Sequence, residues 1–290
     1  MSNPLNPTTA LATRIADIYP SLSHGNRRAA DFVLQNPIDA ATMSIEKLAE
    51  GSCTSNATVT RFVRALGYAN YGEFRAALTS ALKVAMAPVD KLASARLVAA
   101  SPFATFVNAL SDQAANLQAA REGLDEAVAT RAIEALLRAR RIFLAGAGTS
   151  YHVASFLEDG LALYVEADVI FPAGRGDPQR AVRHLLSARP DDLIVAISTP
   201  RYMRSTLDLC RVAKKHGAAL LALTDAPTSP LTPIADMTLF APARNAVLPN
   251  SPTAIFALAD ALITAVARAR PQAVEALKEL SESRLWNYHP

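Results

Sequence analysis

The chain has 290 residues, 51% of them hydrophobic, with two cysteines and a formal net charge of +3. Such a chain is too long and too cysteine-poor for a disulfide-stapled miniprotein, and it has apolar surface enough for one large or two moderate domains. The mild basicity permits a polyanionic partner without requiring one.

The first residues, MSNPLNPTTALATRIADIYP, lack the basic and apolar regions of a secretory leader. No apolar run approaches the roughly 18 residues of a membrane span. A soluble, cytoplasmic protein with no membrane partner is therefore expected. Cys53 and Cys210 stand far apart with no His cluster nearby, so they read as reduced thiols, and no metal or cofactor is expected.

Up to about Ala87 the pattern is helical and short. Ala10–Tyr19 and Arg27–Leu34 carry apolar residues at helical spacing and are ended by Pro20 and Pro37. Ser44 then offers an N-cap to a helix over Ser44–Glu50, with Ile45, Leu48 and Ala49 on one face and Gly51 closing it. After the turn Ser52–Cys53–Thr54, a second helix takes its N-cap from Thr54 or Ser55. It places Ala57, Val59, Phe62, Val63 and Leu66 inward and ends at Gly67. Two short helices joined by a tight turn follow the helix-turn-helix plan.

The second helix shows Ser55 and Asn56 at its start, then Thr58, Thr60, Arg61 and Arg64, on its outward side. Short hydroxyl and amide side chains let a helix approach base edges and phosphates closely, and Arg can read guanine or clamp the backbone. The same surface also fits an ordinary helical hairpin with a solvated Ser/Thr/Arg face.

The wording of the segment goes further. MSIEKLAEGSCTSNATVTRFVRALGYANYGEFRAAL resembles the helix-turn-helix of RpiR-family bacterial transcriptional regulators: LA, a turn, S-x-x-T-V-x-R-F, then LG and an aromatic. Leu48, Ala49, Ser55, Thr58, Val59, Arg61, Phe62, Leu66, Gly67 and Tyr68 match in register. The turn departs from the pattern, with Cys53 and Thr54 where a Gly and an aliphatic residue are usual. Cys53 reads as a small, half-buried packing residue. The resemblance implies that double-stranded operator DNA is the partner.

Between Pro88 and Asp125 the helical periodicity is interrupted at Ser101–Pro102, which suggests a linker followed by a connecting helix. From Arg140 short apolar runs alternate with amphipathic segments. RIFLAG, ADVIF, DLIVAIS, AALLALT and DMTLF are five candidate strands, with helices at about 150–164, 177–188, 202–216, 229–234 and 253–268. Continuous apolar strands separated by helices imply a parallel sheet covered on both faces, with ligands at the carboxyl ends of its strands.

Two loops there are rich in hydroxyls. After the first strand come Gly146, Gly148, Thr149 and Ser150; after the third come Ser198, Thr199, Arg201, Arg204, Ser205 and Thr206. Hydroxyls at a helix N-terminus together with guanidinium groups suit a phosphate or carboxylate. Tyr151 stands where a dinucleotide fingerprint needs its third glycine, and the Gly-Lys-Ser of a P-loop is missing.

RIFLAGAGTSYHVA, DLIVAIS, the segment from Gly217 to Pro242 and the closing helix resemble the SIS (sugar isomerase) domain over about Arg131–Arg268. Helix-turn-helix followed by SIS is the RpiR-family architecture. The expected fold is thus α plus α/β: an all-helical helix-turn-helix domain at 1–87, a linker and helix at 88–125, an α/β/α SIS domain with a five-stranded parallel sheet at 126–275, and a tail at 276–290.

The resemblance implies an effector crevice for a phosphosugar or other small anionic metabolite, and assembly into a homodimer or homotetramer. Ser150 and Ser198 match the family's serines. The third-strand motif S-x-S-G-x-T is not kept, because Pro200, Arg201 and Met203 occupy its last three named places. An isomerase with an accessory helical domain would need a base, with His152, Glu158, His184 and His216 available. A protein-binding SIS module without an effector is the third alternative. Trp286 and Tyr288 in the tail offer a surface for a subunit neighbour.

Overall fold

The computed structural model describes residues 7–172 and 178–283. It divides into two compact units, one ending at Leu97 and one beginning at Val98.

The first unit is all-helical: α1 (Pro7–Ile18), α2 (His24–Gln35), α3 (Pro37–Thr42), α4 (Ile45–Gly51), α5 (Asn56–Ala65) and α6 (Tyr71–Leu97). Its core gathers Ile15, Ala29, Ala30, Val33, Leu48, Val59, Phe62, Val63, Phe74 and Leu78. Pro37 opens α3 rather than ending a chain segment, at a first-turn position where its missing N–H costs nothing. Helix α6 runs through Pro88 to Leu97, so no linker begins at 88. Strong helix formers on both sides, Met86–Ala87 and Lys91–Leu92–Ala93, carry the helix across the one lost hydrogen bond. The break falls instead at Ser101–Pro102, where Ser101 caps α7 (Pro102–Glu122) by accepting from the Ala104 N–H at 3.1 Å.

The second unit continues with α8 (Glu126–Arg138), β1 (Arg141–Ala145), α9 (Thr149–Ala162), β2 (Asp168–Ile170), α10 (Pro178–Leu185), β3 (Leu193–Ser198), α11 (Arg204–Lys215), β4 (Ala219–Thr224), β5 (Met237–Phe240), α12 (Thr253–Ala269) and α13 (Ala273–Ser283). All five expected strands form, parallel, in the order β2-β1-β3-β4-β5. Every residue of β3 is buried, as a strand covered on both faces must be. Leu144, Val195, Ile197, Leu221, Leu223 and Leu239 pack with α8, α9 and α12 on one face, and α10 and α11 lie on the other, giving the α/β/α layering. The expected helix at 229–234 is only a 3-10 turn, Thr232–Ile234. The expected tail is helical as far as Ser283, in α13; Trp286 and Tyr288 lie outside the described residues.

At the amino end of the sheet a buried carboxylate ties two strands. Asp192 accepts from Arg140 Nη2 at 2.9 Å, Arg141 Nη2 at 2.8 Å and the Arg189 N–H at 2.9 Å. Burial opposes its ionisation, but the hydrogen bonds from Arg141 and Arg189 and the charges of Arg141 and Arg140 outweigh that and hold its pKa below the usual range.

Candidate functional site

In the helical unit, α4 and α5 form the expected pair. Ser44 caps α4 by accepting from the Lys47 N–H at 3.4 Å, and Ser55 caps α5 by accepting from the Thr58 N–H at 3.2 Å. Gly51 does not reverse the chain, as its position suggested it would. It lies inside α4, where a Cβ would stand 2.7 Å from the Phe32 ring, so glycine is there for close packing.

Cys53 makes the reversal, with φ +52°. The Thr54 N–H bonds to the Ala49 carbonyl at 2.7 Å and the Cys53 N–H to the Glu50 carbonyl at 2.9 Å, the pairing of a Schellman cap whose left-handed residue is normally glycine. Cys53 is exposed rather than half-buried, because that conformation turns its side chain to solvent. Arg28 of α2 donates to the Cys53 carbonyl and fastens the turn, a role its sequence position did not signal.

On α5, Asn56, Arg61 and Arg64 are exposed and Thr60 half-exposed, with its hydroxyl donating to the Asn56 carbonyl at 2.9 Å. Thr58 is buried, contrary to its expected outward position. It shares the i, i+4, i+8 row of Phe62 and Leu66, and its hydroxyl receives Arg61 Nη2 at 3.2 Å and meets Ser55 Oγ at 3.0 Å. Ala57, expected inward, is exposed by the same helical phase. Residues 1–97 hold ten Lys/Arg against seven Asp/Glu, which accounts for the whole formal excess of +3. The cationic bias of the chain therefore belongs to the unit that carries α5.

In the second unit, the sheet order places the change of winding direction between β1 and β3, the point where parallel α/β sheets open a crevice at their carboxyl ends. Both hydroxyl-rich loops leave these two adjacent strands. Gly146 lets α9 start directly above β1: a Cβ there would stand 2.5 Å from the Ser150 carbonyl oxygen. Gly148, at φ +61° and ψ −129°, turns the chain into α9 in a conformation that side chains resist. Thr149 is exposed and Ser150 buried in the first turn of this 14-residue helix, whose amino-terminal dipole favours an anion.

On the β3 side, Ser198 is buried and Thr199 half-buried, with Asn250 Nδ2 donating to Thr199 Oγ1 at 3.3 Å and to the Pro200 carbonyl at 3.2 Å. Arg201 has φ +70°. It occupies the glycine place of the family motif and keeps a glycine-like backbone while adding an exposed guanidinium. Tyr202 donates its hydroxyl to Asp225 Oδ1 at 2.9 Å, and Thr224 Oγ1 donates to the Ser198 carbonyl at 2.6 Å. Burial is the main cause that raises the pKa of Asp225, and burial followed by the bond to Asp225 raises that of Tyr202. Asp225 follows β4 in the hydroxyl-bearing segment 224–230 and Asn250 precedes Ser251 and Thr253; neither carries a motif of its own, and the topology brings them to this edge.

The remaining expected residues stand in the first turn of α11, after the same loop. Arg204 is paired with Asp208 of its own helix at 3.4 Å, Ser205 is exposed, and Thr206 is buried in the packed face of α11. Of the bases an isomerase would use, Glu158 accepts the Phe171 N–H at 2.9 Å, and His152 is exposed, edge-on to Tyr151. Cys210 is buried, which pushes its thiol up to about 12. Among the described residues no helix is long and apolar enough to cross a membrane.

A capped helix-turn-helix followed by a parallel sheet with hydroxyl loops at its switch point defines a two-part architecture, a helical reader and an SIS-type crevice. Residues 9–85 match the helix-turn-helix domain of the rpiR family and residues 135–265 the SIS domain. The HTH-type transcriptional regulator HexR of Pseudomonas aeruginosa is 32% identical over 226 residues, which cover 76% of this chain and 75% of HexR. The sugar isomerase domain of an RpiR transcription factor from Sphaerobacter thermophilus superposes with a TM-score of 0.56 at 30% identity, over 61% of this chain and 97% of that one. The Vibrio vulnificus NanR protein, solved with ManNAc-6P, shares the fold at a TM-score of 0.56 and 22% identity, over 97% of this chain and 100% of that one. The chain belongs to the RpiR family of helix-turn-helix transcriptional regulators with an SIS domain.

Proposed function

We propose that this regulator acts by binding, without catalytic turnover, in the cytoplasm: α5 reads operator DNA, and the crevice between β1 and β3 holds a phosphorylated sugar or a related anionic metabolite that alters operator affinity. The observation that carries the effector half is the Gly146–Ser150 turn, which brings a buried serine and the amino terminus of α9 to the switch point between β1 and β3, the strand that ends at Ser198. Gly148, Thr149, Ser150, Ser198 and Thr199 are its phosphate side, and Arg201 supplies a cation from the glycine position. The carboxylate of Asp225 suits the hydroxyls of a sugar. NanR, which shares the fold, was solved with a phosphosugar.

On the DNA side, Asn56, Thr60, Arg61 and Arg64 face the groove, Ser55 presents the helix start, and Thr58 positions Arg61 from beneath. A homo-oligomer would pair two such headpieces on two half-sites.

The test is a thermal-shift screen of the intact protein with phosphosugars and sugar acids, followed by the same titration on Ser150→Ala. The expected outcome is stabilisation of the wild type by an anionic sugar and a weakened response in the variant. No stabilisation by any of these compounds would reject the effector reading.

A further inference from the structure

The connection from β5 to α12, residues 241–252, holds neither helix nor strand and is longer than the ~2–6 residues usual between such elements. This strap is tied at two separate places. At one end Asn250 Nδ2 donates to Thr199 Oγ1 at 3.3 Å and to the Pro200 carbonyl at 3.2 Å, in the loop after β3. At the other end its partners are side chains of α7. Asn116 Nδ2 donates to the Arg244 carbonyl at 2.7 Å and its Oδ1 accepts the Arg244 N–H at 3.2 Å, while Asp112 Oδ2 accepts the Ala246 N–H at 3.0 Å. Gln113 Oε1 accepts the Thr253 hydroxyl at 2.7 Å, where the strap enters α12.

Between its ties the strap is braced. Asn245 Oδ1 accepts the N–H groups of Val247 and Leu248 at 2.9 and 2.6 Å, and the Ser251 N–H donates to the Ala243 carbonyl at 3.0 Å, closing residues 243–251 into one loop. A displacement of Asn250 is therefore carried to residues 244–246 instead of being absorbed on the way. The crevice end is where an anion acts. Thr199 Oγ1 accepts from Asn250 and keeps its own proton, which an anion beside Arg201 can accept. A hydroxyl that donates becomes a better acceptor, so the anion strengthens the bond from Asn250. Both Asn250 bonds are longer than the ~2.9–3.0 Å common for N–H to oxygen and have room to shorten. Helix α7, at the far end, is the element that follows α6 of the helical unit in the chain, across residues 98–101.

We propose that the strap couples the crevice to α7, with Asn250 and Asn116 as the positioning residues at its two ends. An anion that tightens Asn250 onto Thr199 draws on residues 244–246, and through Asn116 and Asp112 on the helix to which the DNA-reading unit is joined in the chain. The anion then interacts differently with two positions of the strap, which is what a ligand needs in order to bias an equilibrium. The coupling deepens the crevice reading above and rests on it for its ligand; the tie between the two ends does not.

The test has two arms, both on the full chain, with circular dichroism to confirm the fold of each variant. The first needs no ligand: amide hydrogen exchange read by mass spectrometry for wild type, Asn250→Ala and Asn116→Ala. Cutting the crevice end should speed exchange in α7 peptides covering residues 104–120, and cutting the α7 end should speed it in peptides covering residues 199–206, each about 3-fold or more. Changes confined in each variant to its own end of the strap overturn the proposal. The second arm is the ratio of promoter dissociation constants with and without the phosphosugar that stabilises the wild type best. Asp112→Ala should lower that ratio at least about 3-fold, with phosphosugar affinity in the absence of DNA held within about 2-fold of wild type. Asp112→Asn, which can still accept the Ala246 N–H, should restore it. An unchanged ratio in Asp112→Ala overturns the proposal, as does a wild type that binds the phosphosugar with a ratio of one. If no anionic sugar binds the wild type, the crevice reading fails, and the exchange arm still decides whether the strap links its two ends.

Discussion

Gly146 is the position where a single methyl group should separate the crevice from the rest of the fold. A Cβ on residue 146 would lie 2.5 Å from the Ser150 carbonyl oxygen and 2.9 Å from its carbonyl carbon, both backbone atoms of the first turn of α9. Ordinary contact begins near ~3.4 Å, so the turn must retreat by roughly 0.5–1 Å. Forcing a methyl into such a site costs on the order of 1–3 kcal/mol. A retreat of that size also carries Ser150 and its neighbouring N–H groups beyond the ~2.7–3.2 Å of a productive hydrogen bond. Gly146→Ala should therefore lose about 2 kcal/mol of stability and bind the best-stabilising phosphosugar at least about 10-fold more weakly. Urea denaturation and isothermal titration calorimetry measure the two effects. A Gly146→Ala variant that keeps wild-type stability and wild-type effector affinity would refute the close-approach argument.

Cys53→Gly should raise stability by ~0.5–1 kcal/mol, because glycine adopts the left-handed cap without the cost a side chain incurs there and gives back only part of the gain as chain entropy. A lower urea midpoint would contradict the strain assigned to φ +52°. Asp192→Asn should cost roughly 2–3 kcal/mol at neutral pH, less than a fully buried pair would lose because Arg140 keeps part of its guanidinium in water. The pKa of Asp192 is depressed in the fold, so its stabilisation is present above the unfolded value of about 3.9 and is lost as pH falls through the folded value. The gap between wild type and the Asp192→Asn variant should then close in acid; a gap independent of pH would count against the charged clamp. Arg61→Ala should weaken binding to the protein's own promoter region and reduce its salt dependence, with the thermal midpoint nearly unchanged. Unaltered promoter affinity at physiological salt would remove Arg61 from the interface.

The strands were readable because each is a continuous apolar run, and a parallel sheet buried on both faces permits nothing else; residues 193–198 are buried without exception. The caps Ser44 and Ser55 were readable because a hydroxyl before an amphipathic run has one local use. What escaped the sequence was phase and sign. Thr58 and Ala57 exchanged faces because one residue is 100° of helix, and only packing against α2 decides which flank of the Val59–Phe62–Val63–Leu66 stripe is covered. Helix α7 was legible as a helix, but periodicity says only that it has two faces; the polar one faces the fold because Asn116 and Asp112 satisfy backbone groups of residues 244–246. The site was half legible. The Gly146–Ser150 turn announces itself, whereas Asp225 and Asn250 reach the loop after β3 through strand order. Arg204 carried the charge of an anion site yet pairs with Asp208 on its own helix.

Under the proposed function the crevice and α5 are energetically linked. Two binding free energies that are coupled must be coupled equally in both directions. The most direct measurement is the promoter dissociation constant with and without saturating phosphosugar, together with the phosphosugar dissociation constant with and without promoter DNA. Both ratios should depart from one by the same factor. A phosphosugar that binds tightly while leaving the promoter affinity unchanged would contradict that linkage.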